Sequence, residues 1–510
     1  MAKTKRRSER ARVDEQQLNA AVADSPFKAW HVPEPQLLFA NGSPGPDPKV
    51  GLALHGPWAG AQGDAAVHEM RVAIIGTGET VQSAQHWLRR CRGGIDPGAG
   101  VDPLLFPSFP GMETKPGFDC RLTFSPKLTE TLTPMEVSRI TEAGDRDRAV
   151  EAAAVILRAR LEALAERDVR PQVVVVALPD QVRRVAGAGR RPGARRKVAK
   201  PQHQLQLSFL DARTPEPWST SRTLHRVVKA EGMRVHIPTQ LVWPTTLEGG
   251  EGVQDDATRA WNFCTALYYK AGGVPWRVSG LDRGTCYVGI SFYRPMGASD
   301  TLQTSMAQAF SDRGEGTVLR GTPVKWDKRN GPPCLSRAGA RDLLAGVLTQ
   351  FAKHHQQSPT RVVVYKSSQF SADEKAGIRD ALGESVPYHD LLSLTPSTIR
   401  FLRLGKEPPV RGTIVQVDRG RYVVYTRGYV PFLRLYPGLR IPMPLDVRHE
   451  GSRAVTDVIA ELIALTRMNW NSADFAAAEP ITLGFARTVG LILSELPPDV
   501  TPETVFRYYM

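Results

Sequence analysis

HRVVKAEGMRVHIPTQ (residues 225–240) places His225 and Lys229 four positions apart, on one face of any helix the segment forms. Gln240 follows on an extended piece after Pro238, and Lys270 closes a separate helical run in ALYYKAGGVPW. An imidazole, two ammonium groups and an amide suit one ligand chemistry, a terminal phosphate with a base beside it. The cations neutralise the phosphate, the amide donates a hydrogen bond, and the ring stacks on the first base. The same spacing also describes a helix with a solvated basic face, and spacing by itself leaves both readings open.

Little else in the chain is arranged for chemistry. There is no H-E-x-x-H, no G-x-S-x-G and no C-x-x-C. The stretch IIGTG suggests a dinucleotide site, but the third glycine of G-x-G-x-x-G is replaced by Val81. A tight strand-to-helix turn accounts for Gly76 and Gly78 without a ligand. Glu248, Glu251, Asp255 and Asp256 form an acidic cluster that loop solvation and helix capping explain. The 5 cysteines are odd in number and widely spaced. That pattern fits a reducing, cytoplasmic setting and argues against a disulfide framework or a zinc site. No apolar run reaches the roughly 18 residues that span a bilayer, so no membrane partner is expected.

The formal net charge is +14, from 66 Lys and Arg against 52 Asp and Glu. An excess of this size favours a polyanionic partner, most often nucleic acid. The start, MAKTKRRSERAR, lacks the apolar stretch of a signal peptide, and residues 1–30 read as a disordered basic arm. RRVAGAGRRPGARRKVAK (183–200) reads as a basic loop, either a solvated insertion or a phosphate-tracking segment.

With 510 residues the chain should fold as more than one domain. The fold class read from the pattern is α/β. RVAIIGTGETVQSAQHWLRRC (71–91) reads as strand, turn and amphipathic helix, 145–168 as a helix, and PQVVVVALP (171–179) as a buried strand. Helices alternating with apolar strands point to a parallel sheet covered on both faces. A helix over 255–270 then leads to CYVGISFYR, whose strand over 286–293 is apolar enough to be buried on both faces. Beyond it, strands are expected at 317–326, 361–366 and 398–404. Helices are expected at 336–355, 371–382, 452–466 and 480–496, and a hairpin turning at Asp418-Arg419-Gly420.

His225, Lys229, Gln240 and Lys270, in this order and followed by Gly272-Gly273, resemble the guide 5′-phosphate pocket of the MID domain in the Argonaute family. YVGISF, VVVYKSSQFSADEKAGI and PITLGFARTVGLI resemble that family's PIWI domain. The resemblance covers roughly residues 130–510. It implies a Rossmann-like MID domain within residues 31–275, which also hold an N-terminal segment, and an RNase H-like PIWI domain over 276–510. The length leaves no room for separate N and PAZ domains, so the chain looks like a short prokaryotic Argonaute. The resemblance also implies that a terminal carboxylate, here that of Met510, reaches the pocket and is bridged to the phosphate by Mg²⁺.

Cleaving relatives hold two metal ions with carboxylates. At the positions that match, this chain has Ser291 after Gly-Ile, Ser367 after VVVYK and Arg487 after Phe-Ala. Neutral hydroxyls are poor Mg²⁺ ligands and a guanidinium repels the ion. The resemblance therefore implies a PIWI domain that does not cut. It implies a guide RNA, a single-stranded DNA target, and a separate protein joining an APAZ region to an effector. That effector would be a TIR or sirtuin-like NAD-consuming domain, or a nuclease. Pairing would activate it, with assembly into a higher oligomer, in defence against invading DNA. Two alternatives remain: a guide-directed, Mg²⁺-dependent nuclease, and a structural scaffold for the effector.

Overall fold

The computed structural model describes residues 27–59, 66–99, 101–187, 222–250, 253–293, 301–310, 316–326, 329, 331–403, 408–438, 441–496, 500 and 502–510, without the side chains of 301–310, 317 and 325. Most of the expected basic arm (1–26), the basic loop from 188 onward and Glu251 lie outside them.

The first strand, β1 (Lys28–His31), joins a sheet built mainly from the second half of the chain. Strands β2 (Leu37–Leu38) and β3 (Pro44–Gly45) belong to a small separate sheet. Helix α1 (Pro48–His55) starts at Asp47, whose carboxylate accepts from the backbone N–H groups of Lys49 and Val50.

A parallel sheet follows, as the alternation of elements predicts. Strand β4 (Glu69–Gly76) runs into α2 (Gly78–Arg90), and Thr77 and Thr80 cap each other across the turn between them. That capping box settles the IIGTG turn locally. Next come β5 (Arg121–Thr123), β6 (Thr129–Thr131), α3 (Pro134–Thr141), α4 (Arg146–Ala165), β7 (Val173–Ala177) and α5 (Asp180–Ala186). Beyond the undescribed stretch lie α6 (Leu224–Arg234), β8 (Thr239–Val242), α7 (Pro244–Glu248) and α8 (Asp256–Lys270). The strand order is β5-β4-β7-β8, with β6 beside β4. Alternate residues of β4 and β7 point into two different cores. Val72, Ile74, Val173 and Val175 pack with Trp87 and Trp261, while Ala73, Ile75, Val174 and Val176 pack with α4 and α6. An unbroken apolar strand is what burial on both faces requires.

The second half forms a mixed sheet. After β9 (Arg277–Val278), which pairs with β2, come β10 (Thr285–Tyr293), β11 (Thr301–Phe310), β12 (Gly316–Val318), β13 (Pro323–Lys325), α9 (Arg337–His355) and β14 (Arg361–Lys366). Then follow α10 (Ala372–Leu382), β15 (Tyr388–Pro396), β16 (Thr413–Asp418), β17 (Arg421–Val424), β18 (Leu445–Gly451), α11 (Val455–Leu465) and α12 (Ile481–Leu493). The order is β1-β16-β17-β18-β15-β14-β10-β11-β12, with β13 also on β11. Strands β10, β14 and β15 run parallel at its centre, and β16–β17 is the expected hairpin.

Two expectations are corrected. The strand expected at 398–404 lies at 388–396, where DLLSL is buried beside β14. Apolar residues at 399, 401 and 402 imitate strand alternation on an irregular segment whose Leu402 stays exposed. The strand expected at 317–326 is two short pieces, and the neighbour of β10 is β11. Its sequence, TLQTSMAQAF, carries too few large apolar residues to signal a strand. None of the five cysteines forms a disulfide.

Candidate functional site

The phosphate-type residues converge from three elements of the first sheet. Thr223 caps α6 by accepting from the Arg226 N–H, and this helix carries His225 and Lys229 one turn apart. Gly232, a turn further on, lets α6 settle onto β8. A Cβ there would lie 2.7 Å from the Ile237 carbonyl oxygen and 2.7 Å from Thr239 Cγ2. The close approach brings the Lys229 ammonium onto the Thr239 carbonyl, to which it donates. Gln240 is the next residue of β8. Its Oε1 accepts from Lys270 Nζ at the end of α8. Asn471, in the segment between α11 and α12, places Oδ1 3.5 Å from the same ammonium. Nothing in the sequence near Asn471 announces this, because its approach is made by packing between the two halves.

The electrostatics are dominated by buried lysines of lowered pKa. Lys229 and Lys270 are each 1% exposed. Among the described residues neither is paired with a carboxylate, and their acceptors are a carbonyl and two amides. Burial, followed by the neighbouring Lys270 charge, holds Lys229 well below the usual lysine range. Burial alone holds Lys270 down to about 7, despite its hydrogen bond with Lys229. His225 is open to solvent on the surface of α6. Desolvation, then the Lys229, Lys270 and Arg226 cations, keep it neutral. Buried ammonium groups without counter-charge are costly. An anion held beside them would offset that cost.

The last residues close one side of this region. The turn Phe506–Tyr508 packs on α6 and α8, the two helices that bear the lysines. The Tyr508 hydroxyl donates to the His236 carbonyl at 3.2 Å, and the Val318 N–H donates to Thr504 O at 3.0 Å. Met510 is buried, at 3% exposure, in the main core. Among the described residues, no ion pair joins Met510 to Lys229 or Lys270.

Ser291 and Ser367 lie on neighbouring strands of the second sheet, and Arg487 lies on α12, which packs across β10. Ile290 faces Lys366 in the parallel register, so Ser291 and Ser367 take the next position at the carboxyl ends of adjacent strands. Helix α12 crosses β10 so closely that a Cβ on Gly289 would lie 2.1 Å from the Thr482 carbonyl oxygen. It carries Arg487, whose guanidinium pairs with Glu479 at 3.4 Å. Ser291 is 4% exposed and Ser367 is open to solvent. Among the described residues, no three His, Cys, Asp or Glu side chains are placed to hold a metal ion. The acidic cluster is accounted for locally: Asp255 caps α8, Asp256 pairs with Arg90 and Arg259, and Glu248 accepts from Ser83.

No protein-family model matches this chain, and no curated protein does. Solved structures do. The Argonaute of Clostridium butyricum, bound to a guide DNA and a 19-mer target DNA, superposes with a TM-score of 0.63 at 14% identity, over 93% of this chain and 54% of that one. The A. aeolicus Argonaute gives 0.55 at 15% identity, over 94% and 55%. Drosophila Piwi gives 0.55 at 14% identity, over 94% and 56%. The chain spans about half the length of each. At these identities the likeness is one of fold: the α/β arrangement is that of Argonaute MID and PIWI domains.

Proposed function

We propose that this chain is a guide-holding protein of the Argonaute type. It binds the 5′-phosphorylated end of a short guide strand, lets base pairing select a complementary single-stranded DNA, and acts through a partner. One observation carries the reading: two buried lysines, neither paired with a carboxylate among the described residues, converge with Gln240 and His225. Such a pocket neutralises a terminal phosphate and leaves the neutral imidazole free to stack on the first base. The net charge of +14 suits a long nucleic-acid backbone beyond it.

The second half binds rather than cuts in this reading. Ser291, Ser367 and Arg487 stand where two-metal chemistry calls for carboxylates. RNA as the guide, the cytoplasm as the setting, and an APAZ-linked NADase or nuclease as the effector in defence against invading DNA rest on the sequence resemblance. A Mg²⁺ ion at the phosphate rests on it too. Its one anionic protein ligand would be the terminal carboxylate of Met510, and the two lysines supply the remaining positive charge.

The test is equilibrium binding of a short single-stranded RNA with a 5′-phosphate against the same strand with a 5′-hydroxyl. The wild type should prefer the phosphate by about 100-fold or more, from two charge-assisted contacts of about 1.5–3 kcal/mol each. Lys229→Ala with Lys270→Ala should remove the preference and keep the salt-dependent backbone affinity. Equal affinity of the wild type for both strands would reject the pocket and favour the scaffold alternative.

A further inference from the structure

We infer that seating a 5′-phosphate in this pocket takes up at least one proton from solution, so that guide loading is coupled to pH. In the empty pocket at least one of Lys229 and Lys270 is the neutral amine, and the arriving dianion recharges it. The inference rests on the phosphate reading given above.

What faces the two amines sets their charge. Helix α6 offers His225, neutral, and Arg226, a further cation. Strand β8 offers the Thr239 carbonyl and the Gln240 amide. Helix α8 offers Tyr269, which burial keeps in its neutral phenol form. The segment before α12 offers the Asn471 amide. The last turn offers the Arg507 guanidinium, which lies toward Gly272 at the end of α8, 3.1 Å from where a Cβ there would stand. Its terminal carboxylate, on Met510, pairs with neither lysine. Among the described residues, the side chains meeting the amines are therefore neutral or positive. Two ammonium groups close enough to act on each other's charge, each 1% exposed, cannot both hold their charge where desolvation and repulsion act together. Their acceptors fit the result. A carbonyl and two amide oxygens serve either protonation state, because an amine still has N–H groups to donate. The shift of Lys270 to about 7 agrees with this geometry.

A phosphate changes both terms. Its two negative charges replace the missing counter-ion, so both lysines become ammonium. The step is R–NH₂ + H⁺ → R–NH₃⁺, with the proton drawn from buffer. A phosphate monoester loses its second proton near pH 6. At about pH 8 the guide end is already a dianion and releases none, so the uptake is read without offset.

The experiment is titration calorimetry of the full chain at about pH 8, with EDTA present, in two non-phosphate buffers of different ionisation enthalpy. The probes are a 5′-phosphorylated single-stranded RNA and its 5′-hydroxyl twin. The difference in heat between buffers gives the protons taken up. The expected result is at least one proton, and at most two, for the phosphorylated strand and close to none for the hydroxyl strand. Affinity for the phosphorylated strand should fall up to tenfold per pH unit above neutrality. Lys270→Met should bind more weakly, with uptake near zero and a flat pH profile. A phosphate preference with no proton uptake would overturn the inference and leave the pocket standing. If the wild type shows no preference for the phosphate, the functional reading fails and the inference falls with it.

Discussion

Replacing Lys270 by methionine should make the empty protein more stable and its guide complex weaker. An unfolded lysine keeps its ordinary pKa of 10.5, whereas the buried Lys270 titrates at about 7. The folded, empty state therefore binds fewer protons than the unfolded chain between these values. Wild-type stability rises with pH across that window and is lowest below it. The difference corresponds to a penalty of about 4 kcal/mol at neutral pH. Methionine removes the charge at similar length. It also removes the hydrogen bonds to Gln240 and Asn471, which costs about 1 kcal/mol each. The net gain is about 2 kcal/mol, read as a rise of about 2–4 °C in Tm at neutral pH. Guide affinity moves the other way, by about 10- to 100-fold, from the loss of one charge-assisted contact. The assay is thermal unfolding from neutral to alkaline pH, with and without 5′-phosphorylated RNA. In the empty variant the rise of stability with pH should be reduced. A lower Tm, with the pH dependence unchanged, would show that Lys270 is a structural lysine satisfied by its two amides, and would refute the reasoning.

Glu34 bridges two buried guanidinium groups, Arg411 at 2.7 Å and Arg467. Burial alone would raise its pKa, but the two cations overcome that and lower it. Its contribution is fully present above the unfolded value of 4.5 and is lost as pH falls through the folded one. Glu34→Gln should thus cost about 3–5 kcal/mol at neutral pH by urea unfolding, with a smaller loss in acid. Gly289→Ala should destabilise by about 3 kcal/mol or more, since the new methyl meets the Thr482 carbonyl; unchanged unfolding would mean that α12 does not rest on β10. A guide-loaded protein given a matched DNA target and Mg²⁺ should release no cut product, and Ser291→Asp with Ser367→Asp should stay inactive while Arg487 remains. Product from the wild type would revive the nuclease alternative.

What the sequence made legible follows from how each residue is positioned. The convergence was readable because His225 and Lys229 lie on one helical turn and Gln240 on the next strand, so local geometry carries most of it. Lys270 was readable only as the end of a helix, since its approach to Gln240 depends on the sheet order. Asn471 was invisible, because a position 201 residues from Lys270 becomes a neighbour through packing alone. Strands β10 and β14 announced themselves by apolar runs that burial on both faces demands. Strand β11 did not, because its residues lack that pattern. The pairing of β1 with β16 also could not be read, since KAWH is too short to signal its partner.

The most direct test of the central claim uses the protein as it comes from cells, with whatever nucleic acid it carries. The bound material is end-labelled with and without prior phosphatase, then digested with RNase or DNase. The account predicts a short RNA that accepts label only after phosphatase, and its loss from the Lys229→Ala, Lys270→Ala protein. Short nucleic acid that labels equally well without phosphatase, or remains on the double variant, would contradict it.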